Sequence, residues 1–529
     1  MVPSRFVSPL VLVVAALAPA TAQDPFSSSE RWFAAPAGSD AWMPEDTVFA
    51  GDDAFVWTGV RGQGASLLLF DAVEADRADP RGVVPPLAGQ FGPPLVAAGT
   101  RGDAVFALVQ TEAPTAFRRA PLVSAYDPRT VSGGGVLDEL WSHDLGVRIN
   151  GPARLATDAR GERVVAAAWD GSTALARVDV LDGTTGALLG RVDLPAIGLS
   201  ALAVSDDGAR IALTAGMTLY VLDADANLVH TSALPAATHA LDLSADGAAL
   251  AHGAFGRVEV LVELPGFGYS PFASAPGKST ELPSRLAISD DGSMLAIGWW
   301  SASNGVDARL EIYDLIFGFA LASHDLPAPN GATQNLVTAA RLTGDGRRAA
   351  FATWGNGSDP EVIVLDVGGF GPTLVLNAPG SARCLALDGS GARIAYGHKD
   401  VHASTFGSTG ALRLVDTGER PLQLLETPRL GGQLVAAARL PGSSLGWFAL
   451  GPRSDTPLTF PGVTGALLLE RGRMQLHARV PDTTGRIDLV LPLPAAPALR
   501  GMQVHVQAAF RTPSGLALTP NLLSPYLLD

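Results

Sequence analysis

Three short stretches carry side chains whose types and spacing could do chemistry. Gly442-Ser443-Ser444-Leu445-Gly446 spells G-x-S-x-G, the pattern in which a serine sits on a sharp strand-to-helix turn and presents its hydroxyl as a nucleophile. The residues after it, Trp447 to Gly451 and then Pro452, are too few and too soon broken for that helix. The match reads as coincidence in a linker. Asp223-Ala224-Asp225-Ala226-Asn227 opens like a calcium loop, but Leu228 stands where such a loop needs glycine. A turn is the better reading. His398-Lys399-Asp400-Val401-His402 clusters two imidazoles and a carboxylate. His398 and His402 could hold a divalent metal if a third ligand arrives from elsewhere, with simple solvation in a surface loop as the competing account. No other cofactor is expected and no catalytic residue is nominated. The single cysteine, Cys384, excludes a disulfide framework and any thiolate-rich zinc or iron–sulfur site.

The elements that must position these groups repeat. An apolar strand, a D/S-x-G turn and a second apolar strand recur as Leu202-AVSDDGARIAL-Thr214, Leu241-DLSADGAALAH-Gly253 and Leu286-AISDDGSMLAI-Gly298. Further copies run through Ala153–Trp169, Ala340–Trp354 and Leu385–Gly397, with weaker ones near Gly51 and Gly102. The turn glycines, Gly161, Gly208, Gly247, Gly292, Gly346 and Gly391, lie 39 to 54 residues apart. A third strand ending in Asp usually follows (Val178-DVLD-Gly183, Leu219-YVLD-Ala224, Val362-IVLD-Val367), then a fourth apolar segment such as Leu422-QLLE-Thr427. Four short strands in about 40–50 residues form one blade of a β-propeller. Each Asp-Gly triplet reads as a hairpin turn rather than a metal loop, because glycine supplies the positive φ and Asp caps its own turn.

The SDDG-type hairpins and V-x-V-L-D strand ends resemble those of the secreted bacterial WD40-like, YVTN-type and quinoprotein-like propellers. Asp182-GTTGALLG-Gly190 is also similar to the turn of quinoprotein-like repeats. The resemblance covers about three quarters of the chain and implies an all-β propeller fold; the spacing of the units over 47–430 gives eight blades, or seven if the first or second weak unit is not a full blade. The resemblance implies little about activity.

The expected organisation is a signal peptide over 1–22, an N-terminal segment over 23–46 that could supply a blade-closing strand, the propeller over 47–430, and a C-terminal β-sandwich over 433–529. The signal peptide rests on Arg5, the apolar run Val7–Leu17 and Ala20-Thr21-Ala22. It places the chain in the periplasm, at the cell surface or outside the cell, with no membrane-spanning segment in the mature protein. Met502–Phe510 alternates, with Val504, Val506 and Ala508 on one side and Gln503, His505 and Gln507 on the other. The net charge is −15, and of the 37 basic residues only Lys278 and Lys399 are lysines. No basic run exists, which argues against nucleic acid as a partner. The arginines read as coding bias.

Functional residues gather on loops held by a rigid scaffold. The loops after the second strands carry Arg118, Arg119, Asn304, Asp307, Asn356, Asp359, Lys399, Asp400 and His402, and aromatics Trp57, Trp169, Trp300 and Trp354 mark the same strand ends. These aromatics could stack on a ligand; the competing account packs them between blades. The function expected is an exported, non-catalytic, monomeric binding propeller presenting this face to a protein, glycan or small ligand. The alternative is a funnel-site enzyme of lactonase-like or quinoprotein-like type.

Overall fold

A computed structural model describes residues 30–35 and 42–519, apart from 52, 63–65, 73–79, 89, 91, 100–103, 113–118, 132–134, 148, 150, 237, 328–334, 356–358, 368, 370, 403–406, 408, 418–421, 427, 429, 441, 459, 461–462, 465–466, 500–501, 503 and 514. The proposed signal peptide therefore lies outside the described residues. Among those described, the chain is all-β, with one 3-10 turn at Pro497–Leu499. No helix among the described residues is long and apolar enough to cross a membrane.

The chain forms a propeller-like series of antiparallel four-stranded sheets. In chain order they cover 42–84, 95–144, 153–195, 201–233, 241–276, 281–326, 337–376 and 382–416, and they are numbered first to eighth here. In the first seven the strands run in sequence order from an innermost first strand outwards, and in the eighth the first three do. The innermost strand of every sheet touches that of the next, and the eighth touches the first. The sheets therefore close a ring. Eight apolar clusters fill the spaces between successive sheets, the last between the eighth and the first.

The recurrent turn explains how identical sheets stay in register. Gly208, Gly247, Gly292 and Gly346 all hold φ between 68° and 71°, where a side chain would be strained. Before each, a hydroxyl donates to the turn carboxylate, as Ser205 Oγ does to Asp207 Oδ1 at 2.6 Å and Ser289 Oγ to Asp291 Oδ1 at 2.7 Å. The turns also bond one another around the ring: Ala159 N to Asp206 O, Asp207 N to Ala245 O, Ala245 N to Asp290 O and Asp290 N to Gly344 O. In most of the sheets the pairing of third with fourth strand shifts at a similar place, opposite Val180/Leu181, Val221/Leu222 and Val364/Leu365, where the fourth strand carries the extra residue, Leu189, Val229 and Thr373.

The eighth sheet takes its outer strand from the N-terminus. Glu30–Ala34 pairs with Gly410–Asp416, so the two ends of the ring-forming stretch meet in one sheet. Leu422–Glu426, read from sequence as that fourth strand, instead pairs with Gln433–Arg439 in a different sheet. Its apolar pattern suits either place, and the N-terminal strand already occupies one. The first sheet likewise begins at Trp42 rather than at residue 47. Side chains clamp the closing seam: Arg393 donates to Ala72 O and Asp53 O, both at 2.7 Å, and lies over the Phe49 ring. Gly389 N donates to Asp53 Oδ2 at 3.0 Å.

Beyond residue 420, a three-stranded sheet (422–426, 433–439, 486–492) and a five-stranded sheet share a core of Leu434, Phe448, Leu489, Val506 and Phe510. Val463–Thr464 pairs parallel with Leu516–Ala517, the exception in an otherwise antiparallel region. The alternation around Met502–Phe510 is only partly a core/solvent pattern. Gln507 is buried, its Oε1 accepting from Leu468 N and its Nε2 donating to Thr519 O, both at 2.9 Å.

Removing residues 30–34 strips the eighth sheet of its outer strand. At roughly 0.2–1 kcal/mol for each of the four lost cross-strand pairs, the truncated chain should lose about 1–4 kcal/mol and melt at a lower temperature. Thermal denaturation of full and truncated chains checks this, and an unchanged Tm would show that this strand does not close the ring.

Candidate functional site

The structure divides the nominated aromatics. Trp57 is fully buried between the first and second sheets, near Tyr126, with its Nε1 donating to Phe106 O at 3.0 Å. It lies in mid-strand, opposite Leu69, rather than at a strand end. Trp169 packs between the third and fourth sheets and donates to Ala196 O at 3.1 Å. Both are wedges between sheets, which corrects their assignment to a ligand-binding face. In the sixth sheet the wedge is Trp299, fully buried, donating to Glu311 Oε2 at 2.7 Å under the Arg309 guanidinium. Its neighbour Trp300 points to the other side of the strand and is half-buried.

Trp354 is also half-buried, and polar groups converge on it. Ser381 Oγ donates to its carbonyl at 2.6 Å, and His402 Nδ1 faces the same oxygen at 3.4 Å. His402 lies 3.7 Å from Glu361 Oε1, and Glu361 Oε2 accepts from Ala378 N at 2.7 Å. Burial raises the Glu361 carboxyl above its ordinary range, and Asp359 pushes the same way; the Ala378 bond and His402 oppose them. Seventh and eighth sheets thus bring Trp354, Asp359 and His402 together around Glu361 and Ser381, which sequence reasoning did not nominate. Asn304 and Asp307 bond each other at 2.7 Å, and the Asn304 carbonyl accepts from Val306 N and Asp307 N.

The remaining nominees stand apart. Arg119 lies within a strand, its backbone paired with Ile149 and its Nη1 on Gln110 Oε1. Arg118 and Asn356 fall outside the described residues. Lys399 ends a strand and is buried, which lowers its ammonium below the usual range. His398 is fully buried, and its Nε2 accepts from Arg413 Nε at 3.3 Å. A guanidinium therefore takes the lone pair a metal would use. Asp400 lies 3.7 Å from His398 Nδ1, whereas His402 turns to Glu361. The pair His398 and His402 is not brought onto one centre, and no three His, Cys, Asp or Glu side chains converge among the described residues.

Ser443 and Ser444 precede a strand, Leu445–Gly451, instead of a helix, so the elbow geometry is lacking. Asp223 caps a turn through Asp225 N and Asn227 N. Burial pushes the Cys384 thiol up, away from nucleophilic use.

The interior of the ring holds what the sequence reading passed over. Innermost strands carry Asp46, Arg154, Asp242, Arg285, Arg341 and Arg383 from six different sheets. Four of these strands bulge, at Glu45, Ser284, Thr338 and Arg383, and a bulge re-aims a side chain. The bulged residues link sheets in series. Ser284 Oγ donates to Val337 O at 3.1 Å, Thr338 Oγ1 to Ala382 O at 2.9 Å, and Arg383 Nε to Glu45 Oε2 at 2.8 Å. The Asp46 and Asp242 carboxylates accept from Val96 N and Ile288 N in the next sheet, each at 3.0 Å.

Burial raises both of these carboxyls. Asp242 reaches about 6, against the bonds from Ile288 N and Leu243 N and the pull of Arg341. The signal was legible as a recurring x-R-L, in Ala153-Arg154-Leu155, Ser284-Arg285-Leu286 and Ala340-Arg341-Leu342. Its meaning depends on the ring closing. No protein-family model matches the chain, and no curated protein matches it.

Asp242 gives a pH prediction. Its folded pKa lies above the ordinary 3.8, so the folded state binds the extra proton, and stability falls as pH rises from about 4 to about 6. Asp242→Asn should remove that component and stabilise the protein above pH 6 by no more than about 3 kcal/mol. Denaturant titrations of both proteins at pH 4, 5, 6 and 7 check it; parallel curves would contradict it.

Proposed function

We propose that this chain is an exported eight-bladed β-propeller followed by a small β-sandwich, akin to the WD40-like, YVTN-type and quinoprotein-like propellers. Its role is non-catalytic binding, with the recognition face at the loops of the seventh and eighth sheets. The propeller reading draws on the cyclic contact of innermost strands and on the outer strand supplied by the N-terminus. The sandwich reading draws on the core that the two C-terminal sheets share. Export draws on the N-terminal residues alone.

One observation carries the binding role: the network of Ser381, His402 and Glu361 around the Trp354 backbone. It fixes the loop that presents a half-exposed indole, and a pre-ordered aromatic loses little entropy when a ligand stacks on it. A glycan or an extended peptide suits such a surface. Asn304 and Asp307 stiffen the neighbouring loop of the sixth sheet in the same manner. An enzyme site at the centre of the ring, of lactonase-like or quinoprotein-like type, draws on no observation beyond the fold.

The test is binding of the mature chain to immobilised glycans and peptides. Trp354→Ala should weaken binding about tenfold or more, since stacking on one aromatic contributes about 1–3 kcal/mol. Trp57→Phe, a change in the core, should leave it intact. Unchanged binding in both Trp300→Ala and Trp354→Ala would overturn the assignment of this face.

A further inference from the structure

We propose that the interior of the ring is a binding site for a small, multiply charged oxyanion, held by Arg154, Arg285 and Arg341. The site is separate from the loop face and rests only on the closed ring of sheets.

The three arginines belong to the third, sixth and seventh sheets. Third and sixth are not neighbours in the ring, so their side chains can approach only across its interior. Arg154 and Arg341 nevertheless repel Arg285, which burial and that repulsion bring down to about 10. All three adopt one local geometry. Each Nη1 donates to the carbonyl of the preceding residue, Ala153, Ser284 or Ala340, at 2.7–3.1 Å. Arg154 Nε and Arg285 Nε also reach the next sheet, at Ser200 O and Thr338 O.

What these guanidiniums lack is a direct ion pair: Asp46 pulls on all three, and Asp242 on Arg341, only through space. Among the described residues no carboxylate oxygen lies within 4.0 Å of any of the three. The Nη2 of each, and the Nε of Arg341, donate to no protein acceptor among the described residues. The two carboxylates in the same space, Asp46 and Asp242, are committed to backbone N–H groups. His239, whose ring faces Ser200 O at 3.2 Å, is held below its ordinary range by burial, the Ser200 bond opposing and Arg285 and Arg154 adding to it, and contributes no negative charge.

Three like charges directed at one space with donors to spare form an arrangement that an anion completes. Guanidinium forks match carboxylate and phosphate oxygens, and charge-assisted bonds to them are the strong ones. Approach from three sheets favours a compact anion with oxygens in several directions over a single carboxylate.

The experiment is calorimetric titration of the mature chain, in a low-salt buffer free of other polyanions, with inorganic phosphate and separately with citrate. One site per chain is expected for at least one of the two, weakening as sodium chloride is added. The stronger binder tells a phosphate-bearing ligand from a carboxylate-bearing one. Arg341→Gln, at the most exposed of the three, and Arg285→Gln should each weaken binding about tenfold or more. Arg177→Gln, on the third strand of its sheet and paired with Asp193, should not.

No heat with either anion, or equal affinity in all three variants, would overturn the proposal. Should Arg285→Gln fail to fold, Arg341→Gln and Arg285→Lys decide the matter. An open ring would fail differently, because the Tm would then not respond to loss of residues 30–34. A closed ring without an anion site keeps that response and gives no binding.

Discussion

Every innermost strand of a ring of sheets has one edge with no strand beside it, and the whole architecture depends on how that edge is satisfied. Buried backbone groups left unpaired are costly. Here side chains of the preceding sheet do the pairing. Asp46 accepts from Val96 N and Asp242 from Ile288 N. Arg154 donates to Ser200 O, Arg285 to Thr338 O and Thr338 to Ala382 O. The bonds that hold consecutive sheets together are thus made by polar and charged residues facing the interior. Closure and the chemistry of the interior are one problem with one set of side chains.

The outer parts of the ring use different means. Between sheets, apolar clusters with Trp57, Trp169 and Trp299 as wedges supply area. At the hairpin ends, backbone bonds from turn to turn tie neighbours without any side-chain identity being required. The seam between the eighth and first sheets adds Arg393 and Asp53, bonding at positions where the chain must find a distant part of itself. Closing such a seam costs loop entropy only weakly dependent on length, so a few strong local contacts suffice.

Much of this was legible. Six copies of the D/S-x-G hairpin revealed the strand pairs, and the Asp at the end of the third strand marked the next turn, where Asp182 accepts from Thr184 N and Thr185 N. What escaped has physical causes. A β-bulge demands no residue type, so nothing in Glu45, Ser284, Thr338 or Arg383 announces one. Trp299 and Trp300 are adjacent and face opposite sides of one strand; period-two alternation cannot say which side meets which neighbour. Leu422–Glu426 and Glu30–Ala34 both suit an outer strand, and only the ring's geometry chooses between them. Scattered arginines looked like composition because the sheets that gather them lie far apart in sequence.

Native-state hydrogen exchange at Gly410–Asp416 tests ring closure most directly, because the amides on one side of that strand pair only with Glu30–Ala34. Protection matching that of the third strands at Thr218–Asp223 and Val362–Asp366, which are flanked on both sides within their own sheets, is the result a closed ring predicts. Fast exchange on the Glu30–Ala34 side alone, with the inner side protected, would contradict it.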